Sequence, residues 1–340
     1  MIRYLANRVL TMLLTLLVVS ALVFYIINLP PGDFLSNQIA ELQAQGEAAS
    51  IAQAEFLRTQ YSLDEPMWKQ YLIWLGAMPG PDGYSGLLQG DWGWSFEFDR
   101  PVSEVLGETM WLTVLVNFAA MLFIYAVSLP LGTIAAVRAG GITDYVVAFI
   151  GYIGLATPNF LLALILLYSG QRYFGIPIGG LMDERFEGEP FSWDKFKSVL
   201  MHLIVPTIVI GTAGTAAMIR RLRANLLDEL GKPYVVTAKA KGLPPAKRVV
   251  KYPLRAALNP FVADIGNLLP SLVSGSVLVS VVLSLPTLGP ALLAALRSQD
   301  HYLAGFILLF VSALTLVGML ISDILLAILD PRIRFGGRAR

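Results

Sequence analysis

Six stretches of almost unbroken apolar residues run along the chain, at roughly 9–29, 109–136, 145–170, 200–219, 264–285 and 303–328. Polar and charged residues gather in the segments between them. A bilayer hydrocarbon core of about 30 Å takes about 20 residues of α-helix, and each stretch meets that length. In lipid a crossing segment must satisfy its own backbone N–H and C=O groups, so a lone strand is excluded. The pattern predicts an all-α membrane fold with about six transmembrane helices. Pro130, Pro158 and Pro206 fall inside or beside these stretches. Membrane helices accommodate such residues where neighbours satisfy the freed carbonyls.

Composition supports lipid as the solvent. Of 340 residues, 56% are hydrophobic and 14% charged, against about 25% charged in a soluble domain. The mean hydropathy is +0.64. Cysteine is absent, which excludes a disulfide framework and a thiolate site. The first stretch lies behind Arg3 and Arg8 and ends at Leu29-Pro30-Pro31-Gly32-Asp33, with no small-x-small cleavage pattern. It exceeds the roughly 7–15 apolar residues of a signal peptide and reads as a retained helix.

The net charge of +1 is uninformative, but the placement of the charges is not. Segment 220–255 carries Arg220, Arg221, Arg223, Lys232, Lys239, Lys241, Lys247, Arg248, Lys251 and Arg255, against only Asp228 and Glu229. Arg3, Arg8, Arg138, Arg332, Arg334, Arg338 and Arg340 fall on the same side if the helices alternate. The positive-inside rule puts that side, and both termini, in the cytoplasm. The expected location is the bacterial inner membrane. Segment 30–108, with only Arg58, Lys69 and Arg100 as bases, falls outside and is long enough to have structure of its own. Residues 37–60 have helix-forming composition, and Trp68, Tyr71, Trp74, Trp92 and Trp94 follow. These aromatics form either an interfacial belt or a cap that meets an extracytoplasmic partner. The chain divides into residues 1–106 (first helix and outer segment), 107–329 (transport domain with a loop at 220–262) and a tail at 330–340.

The informative stretch is YVVTAKAKGLPPAKRVVKYPLRAALNP, Tyr234 to Pro260. Pro233 suits a first helical turn, Gly242 a helix stop, and Pro244 or Pro245 the start of a second short helix through about Lys251. Ala238, Ala240 and Gly242 are small enough to let another surface approach closely.

This stretch resembles the cytoplasmic coupling loop of type I ABC importer permeases, and within them the peptide, opine and nickel branch, first-permease type. That branch reads Y-V-x-T-A-R-A-K-G-L before a basic helix and L-R-N-A. Here Tyr234, Val235, Thr237, Ala238, Lys239, Ala240, Lys241, Gly242 and Leu243 match, followed by Leu254, Arg255 and Ala257. Further pieces lie in family order: Pro31-Gly32-Asp33, Gly90-Asp91-Trp92-Gly93 with Ser95, Pro130-Leu131-Gly132 with Ala135-Ala136-Val137-Arg138, Thr157-Pro158-Asn159-Phe160, Leu288-Gly289 and Asp330-Pro331-Arg332-Ile333-Arg334. Departures are Ser280 and Leu283 for an acid and a phenylalanine, Pro286-Thr287-Leu288-Gly289 for P-G-L-G, Gln299-Asp300-His301-Tyr302 for R-D-Y-P, and Tyr252-Pro253-Leu254-Arg255 for H-A-L-R.

The resemblance implies a permease that works with a second homologous permease, two ATPase subunits and an extracytoplasmic substrate-binding protein. ATP and magnesium would sit on the ATPase subunits, with no cofactor on this chain and no nucleic-acid partner. Residues Thr237, Ala238, Lys239, Ala240, Lys241, Gly242, Leu243, Lys247 and Arg248 would dock in an ATPase groove. Alternatively, the four bases serve only the positive-inside rule and lipid phosphates. The implied substrate is a di- or oligopeptide, with oligosaccharide, opine and nickel served by the same branch.

The chain itself is not expected to be an enzyme. A phosphate-binding loop needs G-x-x-x-x-G-K-[ST], and the single Gly-Lys pair, Gly231-Lys232, is followed by Pro233. His202 and His301 do not make a metal set without cysteine; His202 is expected at the outer membrane interface and His301 in an outer loop beside Asp300. No Ser, His and Asp cluster suggests a triad. Asp264 and Asp323 lie near helix ends, where Asp323 can brace the bundle against the basic loop. Such a position weakens the rival class, a proton-coupled secondary transporter, which needs midplane carboxylates and internal repeats. Asn117, Ser128, Asn159, Ser271, Ser274 and Ser276 either line a pathway or serve ordinary helix packing.

Overall fold

The computed structural model describes residues 2–30, 32, 34–45, 52, 56–81, 83–175, 179–186 and 189–329. The motif residues Pro31, Asp33 and 330–334 lie outside that set, as do the Ser274 side chain and parts of the predicted helix 37–60. The described residues form two compact units, one within 5–112 and 287–313, the other mainly within 113–286 and 314–329.

The apolar stretches are helices, several longer than the hydropathy pattern implied. They are α1 (Ile2–Ile27), α2 (Phe34–Gln45), α3 (Met67–Leu75), α4 (Val102–Val137), α5 (Ile142–Ala156), α6 (Asn159–Ser169), α7 (Trp193–Leu230), α8 (Pro233–Ala240), α9 (Pro245–Lys251), α10 (Pro253–Ala257), α11 (Asn259–Ala263), α12 (Ile265–Val282), α13 (Leu288–Ser298) and α14 (His301–Leu329). Helix α4 has 36 residues and α7 has 38, so each is over about 50 Å long at 1.5 Å per residue. Both exceed a hydrocarbon core, and both contain a proline, Pro130 and Pro206.

Among the described residues, four helices are by themselves long and apolar enough to cross a bilayer: Leu5–Ile27, Val102–Val137, Trp193–Leu230 and His301–Ile328. The stretch predicted as a straight span over 145–170 is instead two helices bent by 98°. Thr157 is extended, at φ −86° and ψ 117°, as the residue before a proline prefers, and Pro158 then starts a new helix. Counting that pair as one crossing gives five. The predicted sixth, 264–285, is the 18-residue α12, outside the set of long spans, preceded by the one-turn helices α10 and α11. The outward faces of these helices are apolar, as lipid requires. On α1, Leu10, Leu13 and Leu14 are more than half exposed.

In the larger unit, α7 is the common neighbour of α5, α6, α10 and α12. Ala135, Val147 and Ile219 bring α4, α5 and α7 together, with Leu131 against them. Helix α12 meets α14 so closely that a Cβ on Gly266 would lie 2.7 Å from the Met319 backbone. Ser322 donates to the Val262 and Ala263 carbonyls at 2.7 and 3.0 Å, bracing α14 against α11.

In the smaller unit the core is Ile27, Val102, Leu106, Leu288, Ala295, Leu303, Phe306 and Ile307. A two-residue antiparallel ladder, β1 (Trp94–Ser95) with β2 (Arg100–Pro101), precedes α4. Asp300 caps α14, accepting from the Leu303 N–H at 3.1 Å, and also accepts from Ser95 Oγ at 2.7 Å and the Glu97 N–H at 3.1 Å. Two motif pieces more than 200 positions apart in the chain thus share one carboxylate. Burial, outweighing these hydrogen bonds, lifts that carboxyl above the usual aspartate range. Gly93 has φ +86°, and a Cβ there would lie 2.5 Å from the Tyr302 ring, so only glycine fits. His301 begins α14 rather than sitting in a loop.

Candidate functional site

Helix α7 runs straight on from its apolar part through Arg220, Arg221 and Arg223 to Leu230, so the first third of the predicted basic loop is helical. Nothing breaks it before Gly231-Lys232-Pro233. There Pro233 occupies the first turn of α8, as its missing N–H allows. Glu229 closes the corner: Lys232 Nζ reaches it at 2.6 Å, and the Tyr234 hydroxyl donates to its other oxygen. Partial burial, reinforced by the Glu229 carboxylate, pushes the Tyr234 phenol up to about 12.

Helix α8 ends in the turn that its glycine predicts. The Gly242 N–H bonds the Lys239 carbonyl at 3.0 Å and the Leu243 N–H bonds the Ala238 carbonyl at 3.2 Å. Gly242 itself sits at φ +73°, where a Cβ would collide with the following backbone. Pro244 is extended and Pro245 starts α9. Val235 and Ala238 are the buried side of α8. The other side is bare: Thr237, Lys239, Ala240, Lys241, Gly242 and Lys247 are exposed, Leu243 and Arg248 half-buried. Val236 and Val250 are 63% and 61% exposed on this polar hairpin. Among the described residues no ion pair engages Lys239, Lys241, Lys247 or Arg248. Nothing lies within 4 Å of a Cβ built on Gly242.

The arginines just upstream differ. Arg223 grips Asp144 of α5 with two hydrogen bonds of 2.6 Å, and the Gly140 N–H bonds the same carboxylate at 2.9 Å. Arg221 pairs with Asp264, which precedes α12. Two of the ten bases read as one cluster are therefore internal fasteners. The Arg223–Asp144 pair was not legible in the sequence, because its members are about 80 positions apart.

The proposed pathway residues separate. Ser271 and Ser276 donate to the Leu268 and Val273 carbonyls of their own helix. Asn117 donates to the Thr113 carbonyl at 2.7 Å. Its Oδ1 and the Ser128 hydroxyl are buried without a hydrogen-bond partner among the described residues. Asn159 is half-buried at the start of α6. His202 is buried: its Nδ1 lies 2.8 Å from the Ser198 carbonyl and its Nε2 3.9 Å from Asp183. The loop at 179–186 covers it.

Several long lipid-facing helices, with α7 tied by ion pairs to α5 and to Asp264 and leading into a bare basic hairpin, fit a multi-pass membrane protein. The comparisons agree. A family model described as binding-protein-dependent transport system inner membrane component matches residues 128–335, and its N-terminal companion matches residues 1–117. This chain belongs to that family. It is 33% identical to the oligopeptide transport system permease protein AppB of Bacillus subtilis, over 98% of this chain and 100% of the relative. The dipeptide transport system permease protein DppB of Escherichia coli K12 is 29% identical over 98% of this chain and 99% of its own length. The oligopeptide transport system permease protein OppB of Haemophilus influenzae is 27% identical over 98% and 100%.

Proposed function

We propose that this chain is a permease subunit of an ATP-driven importer of di- or oligopeptides. It works beside a second, homologous permease, two ATPase subunits and an extracytoplasmic binding protein. The relatives' names support the substrate class. The observation that carries the mechanism is the α8–α9 hairpin: a rigid turn at Gly242, a buried side on Val235 and Ala238, and an outer side of unpaired bases and two exposed valines. Residues 237–243 with Lys247 and Arg248 form the docking surface for an ATPase subunit. The excess of bases over 220–255 supports a cytoplasmic position for this hairpin and for both termini, and the inner membrane as the location.

ATP and magnesium bind the partner subunits. ATP shifts them only by binding their closed state better than their open one. A closing ATPase carries α8 with it; the Glu229 corner passes that displacement to α7, and Arg223 and Arg221 pass it to α5 and to the segment before α12. The alternative, a proton-coupled transporter working alone, lacks support from any midplane carboxylate. Uptake of a labelled dipeptide into vesicles holding the assembled complex tests the reading. Uptake should stop when ATP is withdrawn and persist when an uncoupler removes the proton gradient. The opposite pattern overturns the proposal.

A further inference from the structure

The smaller unit contains a cavity of about 250 Å³, close to the lower end of small-ligand sites, about 300–1,000 Å³. Four aromatic residues line it, Tyr61, Trp74, Trp94 and Tyr302, beside polar and small residues such as Gln60, Ser62 and Ser85. The Tyr302 hydroxyl donates to the Tyr61 carbonyl at 3.0 Å, and the two rings meet edge to face with centroids 5.8 Å apart. Tyr302 is held in the wall because Gly93 leaves room for its ring. Among the described residues, Asp91 is the single charged side chain in the lining. One of its oxygens is fixed by the Gly93 N–H at 2.9 Å, which leaves the other to accept. Trp74 is only 4% exposed, and its indole N–H has no hydrogen-bond partner among the described residues.

These features select a ligand by chemistry. A carboxylate among π faces favours an organic cation and disfavours an anion, because ring faces and carboxylate are both negative. We propose that this cavity binds the free amino end of a peptide, the ammonium against Asp91 and the aromatic side chains. The volume suits one or two residues, not a folded partner. This inference rests on the peptide-importer reading and extends it by a peptide site on the permease itself, formed by the segment before α4 and the start of α14.

The test uses the assembled transporter in lipid discs, without nucleotide and without binding protein. Calorimetry with alanyl-alanine should give saturable binding. N-acetyl-alanyl-alanine, which lacks the ammonium, should bind at least tenfold more weakly. Asp91→Asn keeps an acceptor for the Gly93 N–H and should also weaken alanyl-alanine at least tenfold, while Asp91→Glu restores part of the loss. An unchanged melting temperature of the Asp91→Asn complex shows that it is folded. No binding of alanyl-alanine by the native complex, or equal affinities for the free and acetylated forms, overturns the site. So does an Asp91→Asn variant that loses binding-protein docking but keeps its dipeptide affinity, which would assign the carboxylate to a protein contact. In each of these cases ATP-driven uptake by the native complex still stands. Loss of that uptake overturns the transport reading instead.

Discussion

Gly242 separates backbone strain from docking. At φ +73° any L-residue with a Cβ meets a cost of about 1–2 kcal/mol, with asparagine the most tolerant. That shifts the turn's conformational equilibrium by a factor of about 5–30. Within the chain an added methyl costs nothing further, because no atom lies within 4 Å of a Cβ there. Alanine and tryptophan therefore carry the same strain and differ only in what they project into open space. If that space belongs to an ATPase subunit, Gly242→Asn should be mildest and Gly242→Ala intermediate. Gly242→Trp should fall at least tenfold below Gly242→Ala in ATP-driven uptake, with less ATPase co-purifying and membrane insertion unchanged. Uptake and co-purification that are equal in the alanine and tryptophan variants would refute a docking surface at this turn and leave a purely conformational role.

Three further outcomes follow from the packing. Arg223→Ala strands Asp144, whose side chain is 5% exposed. Because the arginine is one-third exposed and partly screened, the loss should be about 1–3 kcal/mol, below that of a fully buried pair; it is read as a lower melting temperature of the solubilised complex, with uptake falling more than ATPase assembly. Gly266→Ala drives a methyl to 2.7 Å from the Met319 backbone and should cost about 1–3 kcal/mol, whereas Gly275→Ala, with nothing within 4 Å, should be near neutral by the same melting assay. Asp300 has its folded pKa raised by burial, so the folded state holds its proton more tightly than the unfolded chain does. Its contribution to stability is greatest below the ordinary aspartate value of about 3.9 and declines as pH rises from there through the raised value. Melting temperatures of Asp300→Asn measured upward from pH 4 should lack that decline, and a decline of equal slope in both proteins would contradict the assignment.

The parts of this architecture that depend on neighbours in the chain were legible beforehand. Pro233, Gly242 and Pro245 each impose a local backbone state, and together they specify the α8–α9 hairpin. Long apolar runs likewise announced α1, α4, α7 and α14. The bend at Pro158 was not legible, since Pro130 and Pro206 in the same chain sit inside continuous helices. What differs is Thr157, which adopts the extended state and donates its hydroxyl back to the Ile153 carbonyl at 2.8 Å, finishing α5 before the proline. The extent of α7 was not legible from charge, because a run of bases does not end a helix, which continues until a breaker such as Gly231-Lys232-Pro233 intervenes. Asp144 and Asp300 were legible only as residues; their partners lie far away in the chain, and no periodicity connects them.

The carboxylate shared by the 95–97 turn and the start of the last helix constrains how relatives can be recombined. A graft that exchanges residues 86–101 alone, without 299–302, sets a foreign turn against a native aspartate and leaves its acceptors short of donors in a dry place. Hybrid subunits built to move ligand preference from one relative to another should carry both segments as a single cassette.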